Sequence, residues 1–117
     1  MALSDAGAAV MLNAFGAVAV WIGLNDGPAG TTGANELAGG SPAYARQQGL
    51  WNPASGKVIA LGGAEEFDVP AGSTVDNFSL WNASSGGVFQ AGGVLSSSEP
   101  YGAQGKYTLT GATVTLT

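Results

Sequence analysis

The chain has 117 residues and a mass of 11.5 kDa, room for one domain with a modest core. Only 9% of its residues are charged, and 3 Lys and Arg against 8 Asp and Glu leave a net charge of -5. That balance lacks the clustered cations that nucleic acid or an anionic membrane requires, and with no Cys or His the chain has no disulfide, thiolate nucleophile, zinc finger or imidazole acid–base chemistry.

The elements follow in chain order. Ser4 can cap a short helix with Asp5 in its first turn, and Gly16 stands where a glycine would end it. Val10, Met11, Leu12 and Phe15 give that segment one apolar side. The almost uncharged stretch 6–24 lacks a basic leader and carries Asn13 and three Gly, which argues against a signal peptide or a spanning helix. Alternation of Val18, Val20 and Ile22 with Ala19 and Trp21 then reads as a strand. Residues 25–33 form a long loop of turn-formers, and Gly39-Gly40-Ser41-Pro42 forms a second. Strands are expected at 44–51, 58–61, 64–69, 74–81, 88–95, 106–110 and 113–117, with a loop at 96–100. The Gly92-Gly93 pair signals a bulge or bend in the fifth of these, 88–95.

So many short strands between turns, in a chain with 20 Gly, predict an all-β fold. The expectation is a single antiparallel β-sandwich of seven or eight strands, jelly-roll or Ig-like, over residues 18–117. A helical or extended arm over 1–17 precedes it. Leu50-Trp51-Asn52-Pro53-Ala54-Ser55-Gly56 is echoed by Leu80-Trp81-Asn82-Ala83-Ser84-Ser85-Gly86. The echo reads first as one hairpin solution used twice, and second as a duplicated ligand-facing loop carrying Trp51 and Trp81.

Little here supports catalysis. Glu65, Glu66 and Asp68 are the one acidic cluster, and on a strand Glu66 and Asp68 share a face. Charge protecting an edge strand explains them better than a glycosidase pair. Asn25, Asp26 and Glu36 offer oxygen atoms to Ca²⁺ but lack the alternating ligand spacing of a calcium loop. No nucleophile–base pair, phosphate loop, metal site or cofactor site is expected, and the chain reads as a non-enzyme.

Five segments in order resemble a tailed-phage virion-protein family. They are Trp21 to Leu37 (an acidic turn, then Pro-Ala-Gly-Thr-Thr and Glu36-Leu37), Gly39 to Gln47 with Tyr44-Ala45-Arg46, Phe67 to Val75, Phe78 to Gly87, and Gly105 to Leu109. Members are non-enzymatic structural proteins of phage particles, often labelled tail fibre or minor tail proteins. The resemblance implies a virion location, other virion proteins as partners, and a homo-oligomer such as a trimer. The chain has no room for a coiled-coil or β-helical shaft, so the leading expectation is a capsid decoration protein. A minor tail or tail-fibre protein is the alternative, and a carbohydrate-binding module using Trp51 and Trp81 is a further one. Val10, Met11, Leu12 and Phe15 are the expected particle contact.

Overall fold

A computed structural model describes residues 2–116, so the last residue of the strand expected at 113–117 lies outside the described residues. The chain opens with helix α1 (Asp5–Val18), whose N-terminus is capped by Ser4: its hydroxyl accepts from the Gly7 N–H at 3.0 Å. Ala8, Leu12 and Gly16 recur every four residues and form the buried stripe. Gly16 does not end the helix, which runs on to Val18 with the Ala19 N–H donating to the Phe15 carbonyl. A Cβ at Gly16 would stand 2.8 Å from Ile59 Cδ1 and 3.3 Å from Trp51 Cβ. This glycine lets the helix approach the sheet, and no left-handed turn is needed there. The strand expected from Val18 accordingly starts later, as β1 (Trp21–Asn25).

The segment 44–51 is two short strands, β2 (Gln47–Gln48) and β3 (Leu50–Trp51). They part at Gly49, where a Cβ would press on Ile22 and Leu61. Then come β4 (Val58–Gly62), β5 (Ala64–Val69), β6 (Ser73–Trp81), β7 (Phe89–Tyr101), β8 (Gly105–Thr110) and β9 (Thr113–Thr115). Most of the expected strands therefore form. The exception is the loop expected at 96–100, which is part of a 13-residue β7. Between the pairs Val75–Glu99 and Asn77–Val94 the ladder shifts register, so Leu95 to Ser98 bulge opposite Asp76.

The pairing has a simple logic. β4 pairs with β9 from Val58–Thr115 to Ala60–Thr113, and β5 with β8 from Ala64–Thr110 to Val69–Gly105. β6 then pairs with β7 from Ser73–Tyr101 to Trp81–Phe89. These are successive lengths of one antiparallel hairpin whose tip is residues 82–88. The ribbon bends at Gly63 and Gly111, both with positive φ, and again at the turns 70–72 and 102–104. Folding a hairpin back on itself gives the two layers of a sandwich. One layer is the sheet β2-β1-β6-β7; β3-β4-β9 and the β5-β8 pair make the other. Ile22, Leu24 and Leu80 meet Phe67, Val69, Leu61 and Leu109 between them. Helix α1 packs on β3 and β4. The body measures 47 × 26 × 24 Å, and none of its described helices is long and apolar enough to cross a membrane.

Candidate functional site

The outer face of β1 and β6 is polar, and residues 26–46 are laid over it. Gly23 makes room for this layer: a Cβ there would lie 2.7 Å from both Glu36 Oε2 and Ser79 Oγ, and 2.9 Å from Tyr44 Oη. The layer is pinned by hydrogen bonds, with the Leu37 N–H donating to the Leu24 carbonyl and the Asn25 amide to the Ala34 carbonyl. Asn25 Oδ1 is buried without a partner.

At its centre sits Arg46, the chain's only arginine. Its Nε and Nη2 donate to the two Glu36 oxygens, both at 2.8 Å. Nη1 donates to the carbonyls of Ala83 and Gly86 in the hairpin tip, and the guanidinium lies 3.8 Å from the centroid of the Trp81 ring. Tyr44 donates its hydroxyl to Glu36 Oε2 at 2.8 Å and accepts from the Leu24 N–H at 2.9 Å. Burial, then the Glu36 charge, pushes the Tyr44 phenol far above its ordinary range. Arg46 and Glu36 keep only 8% and 19% of their side-chain surface in water. The pair clamps the tip of the ribbon to the outer layer. A cleft of about 410 Å³ opens beside it between residues 36–39 and 84–86.

The expected site residues separate. On α1, Leu12 is buried at 4% exposure and Phe15 packs half-buried against the core, whereas Val10 and Met11 face outward, Val10 at 71%. The four do not form one surface. Trp51 and Trp81 do occupy equivalent places in the echoed turns, with Gly56 and Gly86 both left-handed. Trp81, however, is 8% exposed, lies under Arg46, meets Phe89 edge-on and donates to Ser79. One face of its ring is covered by the guanidinium. Trp51 donates its Nε1–H to the Ala19 carbonyl and forms the floor of an apolar groove of about 500 Å³ between α1 and β3–β4. Leu50, strongly exposed, stands at the rim of that groove.

The other candidates resolve as structure. The Glu36 carboxylate, weighed above as a calcium ligand, is held by Arg46 and Tyr44. Glu66 and Asp68 share the exposed Lys106 ammonium, at 3.6 and 2.8 Å, on the edge ribbon β5–β8. The Glu36–Arg46–Trp81 assembly was missed by sequence reasoning. Its one available signal was the presence of a single Arg in a chain with so few charges.

No curated protein and no solved structure matches the chain. A family model described as podophage GP4 fiber I protein gp80 does match it, over residues 4–117. That span takes in α1 and every strand of the sandwich, so the chain belongs to the podophage GP4 fiber I protein gp80 family, a family of tailed-phage virion structural proteins.

Proposed function

We infer that the protein is a fibre subunit on the exterior of a podophage particle, acting by assembly with other virion proteins and not by catalysis. The observation that carries this reading is the family match across residues 4–117. The chemistry agrees with it. The buried charges are consumed by one another at Glu36 and Arg46, and the acidic strand β5 is tied to Lys106 in water. Exposed Val10, Met11, Val18 and Leu50 supply the apolar surface that subunit packing buries.

Capsid decoration is the second reading, favoured by shape. Among the described residues there is neither a heptad helix nor a β-helical coil from which a trimeric shaft is made, and α1 has 14 residues. A sugar-binding module using both tryptophans has less behind it, since a sugar could stack on Trp81 only by displacing Arg46. Copy number separates the first two. Quantitative mass spectrometry of purified virions should give a count set by the symmetry of the tail and its fibres. A count in simple ratio to the major capsid protein would overturn the fibre reading in favour of decoration.

A further inference from the structure

Arg46 and Glu36 close the outer layer, and they also leave one donor and one acceptor beside the cleft that both of them line. A guanidinium carries five N–H groups and a carboxylate about four acceptor positions. Glu36 takes the Nε–H and one N–H of Nη2, and the Ala83 and Gly86 carbonyls take the two on Nη1. Glu36 Oε2 accepts twice, from Tyr44 and from Arg46 Nε, whereas Oε1 accepts once, from Nη2. One N–H on Nη2 and one lone pair on Oε1 are left over, on atoms 2.8 Å apart. Because the guanidinium is planar, that last N–H lies on the Nη1 side, toward the hairpin tip that forms one wall of the cleft. The walls limit what can enter. The charged residues lining them are Glu36 and Arg46, which neutralise each other, so an anion or a cation meets a like charge beside its counter-charge. Ser84 and Ser85 add exposed hydroxyls, and Ala38 and Ala45 add small apolar patches. Residues 37–39 and 84–86 belong to no strand, so an extended peptide finds no ladder to join.

We propose that this cleft binds a neutral saccharide through a vicinal diol. One ring hydroxyl donates to Glu36 Oε1 and its neighbour accepts from Arg46 Nη2. Adjacent hydroxyls on a pyranose hold their oxygens at about the spacing of these two atoms, so one diol meets donor and acceptor together. Both bonds are to ionised groups, which makes them the stronger kind. The volume of about 410 Å³ falls in the small-molecule range of roughly 300–1,000 Å³. The site is set before a ligand arrives, since Arg46 ties one wall to the other and Tyr44 holds the carboxylate, so little ordering cost falls on binding. Trp81 stays beneath Arg46, which separates this site from a sugar stacked on the tryptophans. None of this chemistry depends on whether the protein stands on a fibre or on a capsid.

The test is a nuclear magnetic resonance titration of the full, isotope-labelled chain with the methyl glycosides of glucose, galactose and mannose, which present trans and cis vicinal diols. At least one should shift the amides of Ala38, Ser84 and Ser85 saturably. A deoxy analogue of that glycoside, lacking one hydroxyl of the pair, should bind about tenfold more weakly. Ala38→Trp and Ser85→Trp, each at an exposed position on the cleft wall, should fill the cleft and abolish the shifts with the thermal midpoint unchanged. Sodium phosphate and sodium acetate should not compete. Silence from all three glycosides overturns the proposal. So does binding that both tryptophan variants leave intact, a full set of deoxy analogues that bind as tightly as the parent, or displacement of the glycoside by phosphate or acetate.

Discussion

Arg46 uses its donors almost entirely inside the fold, and the consequences can be measured. Arg46→Ala leaves the Glu36 carboxylate half-desolvated without its counter-ion and frees the Ala83 and Gly86 carbonyls. Breaking a buried pair from one side costs about 3–5 kcal/mol, so urea unfolding should show a loss of that order. Arg46→Lys should recover little of it, because an ammonium cannot span two carboxylate oxygens and two carbonyls at once. A lysine variant with wild-type stability would mean that the charge alone holds the tip. Gly33 belongs to the same assembly. It has φ +78°, and a Cβ there would collide with the indole of Trp81. Gly33→Ala is therefore expected to cost about 1–3 kcal/mol and to change the near-ultraviolet circular dichroism of the tryptophans. Glu36, Tyr44 and Arg46 are all visible in the sequence, yet nothing in their spacing says that they meet. The loop geometry that joins them is set by the sheet beneath, at Gly23.

At the scale of elements, α1 has two faces, one buried through Ala8, Leu12 and Gly16 and one outward through Val10 and Met11. Leu12 is buried at 4% exposure in a helix that packs on β3 and β4. Leu12→Ala should cost about 2–5 kcal/mol, as for other buried leucines, and should red-shift tryptophan fluorescence as the helix loosens. Val10→Asp with Met11→Asp should leave the thermal midpoint in place and lower incorporation into virions if the outward face is a particle contact. Normal occupancy of that double variant would remove α1 from the assembly surface. How far such elements can be read from sequence depends on what defines them. β5 and β6 were legible almost to the residue from the two-residue alternation of their sequences between turn signals; burial follows that alternation at Phe67 to Val69, whereas residues 77–81 of β6 are buried on both faces because the 26–46 layer covers the outer one. The end of α1 was not, because Gly16 has a packing role that only Ile59 and Trp51 reveal. The Ser96–Pro100 stretch was misread for a related reason: a bulged edge strand accepts the residues that a loop prefers.

The whole molecule shows where legibility stops and where solution conditions act. That 58–69 pairs with 105–115 is a non-local fact, marked in the sequence only by glycines at Gly63, Gly72, Gly102 and Gly111, where the ribbon bends. Global stability should respond to pH in one direction at the alkaline end. All three tyrosines are pushed above the ordinary phenol value of 10.0 first by burial, and Tyr44 next by the Glu36 charge. In the unfolded chain these phenols ionise near 10. Above that pH the unfolded state binds fewer protons than the folded one, so stability falls as pH rises; below it the contribution is fully present. Tyr44 alone supplies a slope of up to about 1.4 kcal/mol per pH unit. With no His, no side chain of ordinary pKa titrates between about pH 5 and 8, and a plateau is expected there. Tyr44→Phe separates the contributions. It should lower the plateau by about 1–3 kcal/mol, since the Leu24 N–H and Glu36 lose a partner. It should also make the alkaline limb shallower, so that the gap between the two proteins narrows above about pH 10. Urea unfolding midpoints measured from neutral to strongly alkaline pH test this. Parallel curves would mean that Tyr44 ionises in the folded state as readily as in the unfolded chain, and that the layer over β1 and β6 is open to water.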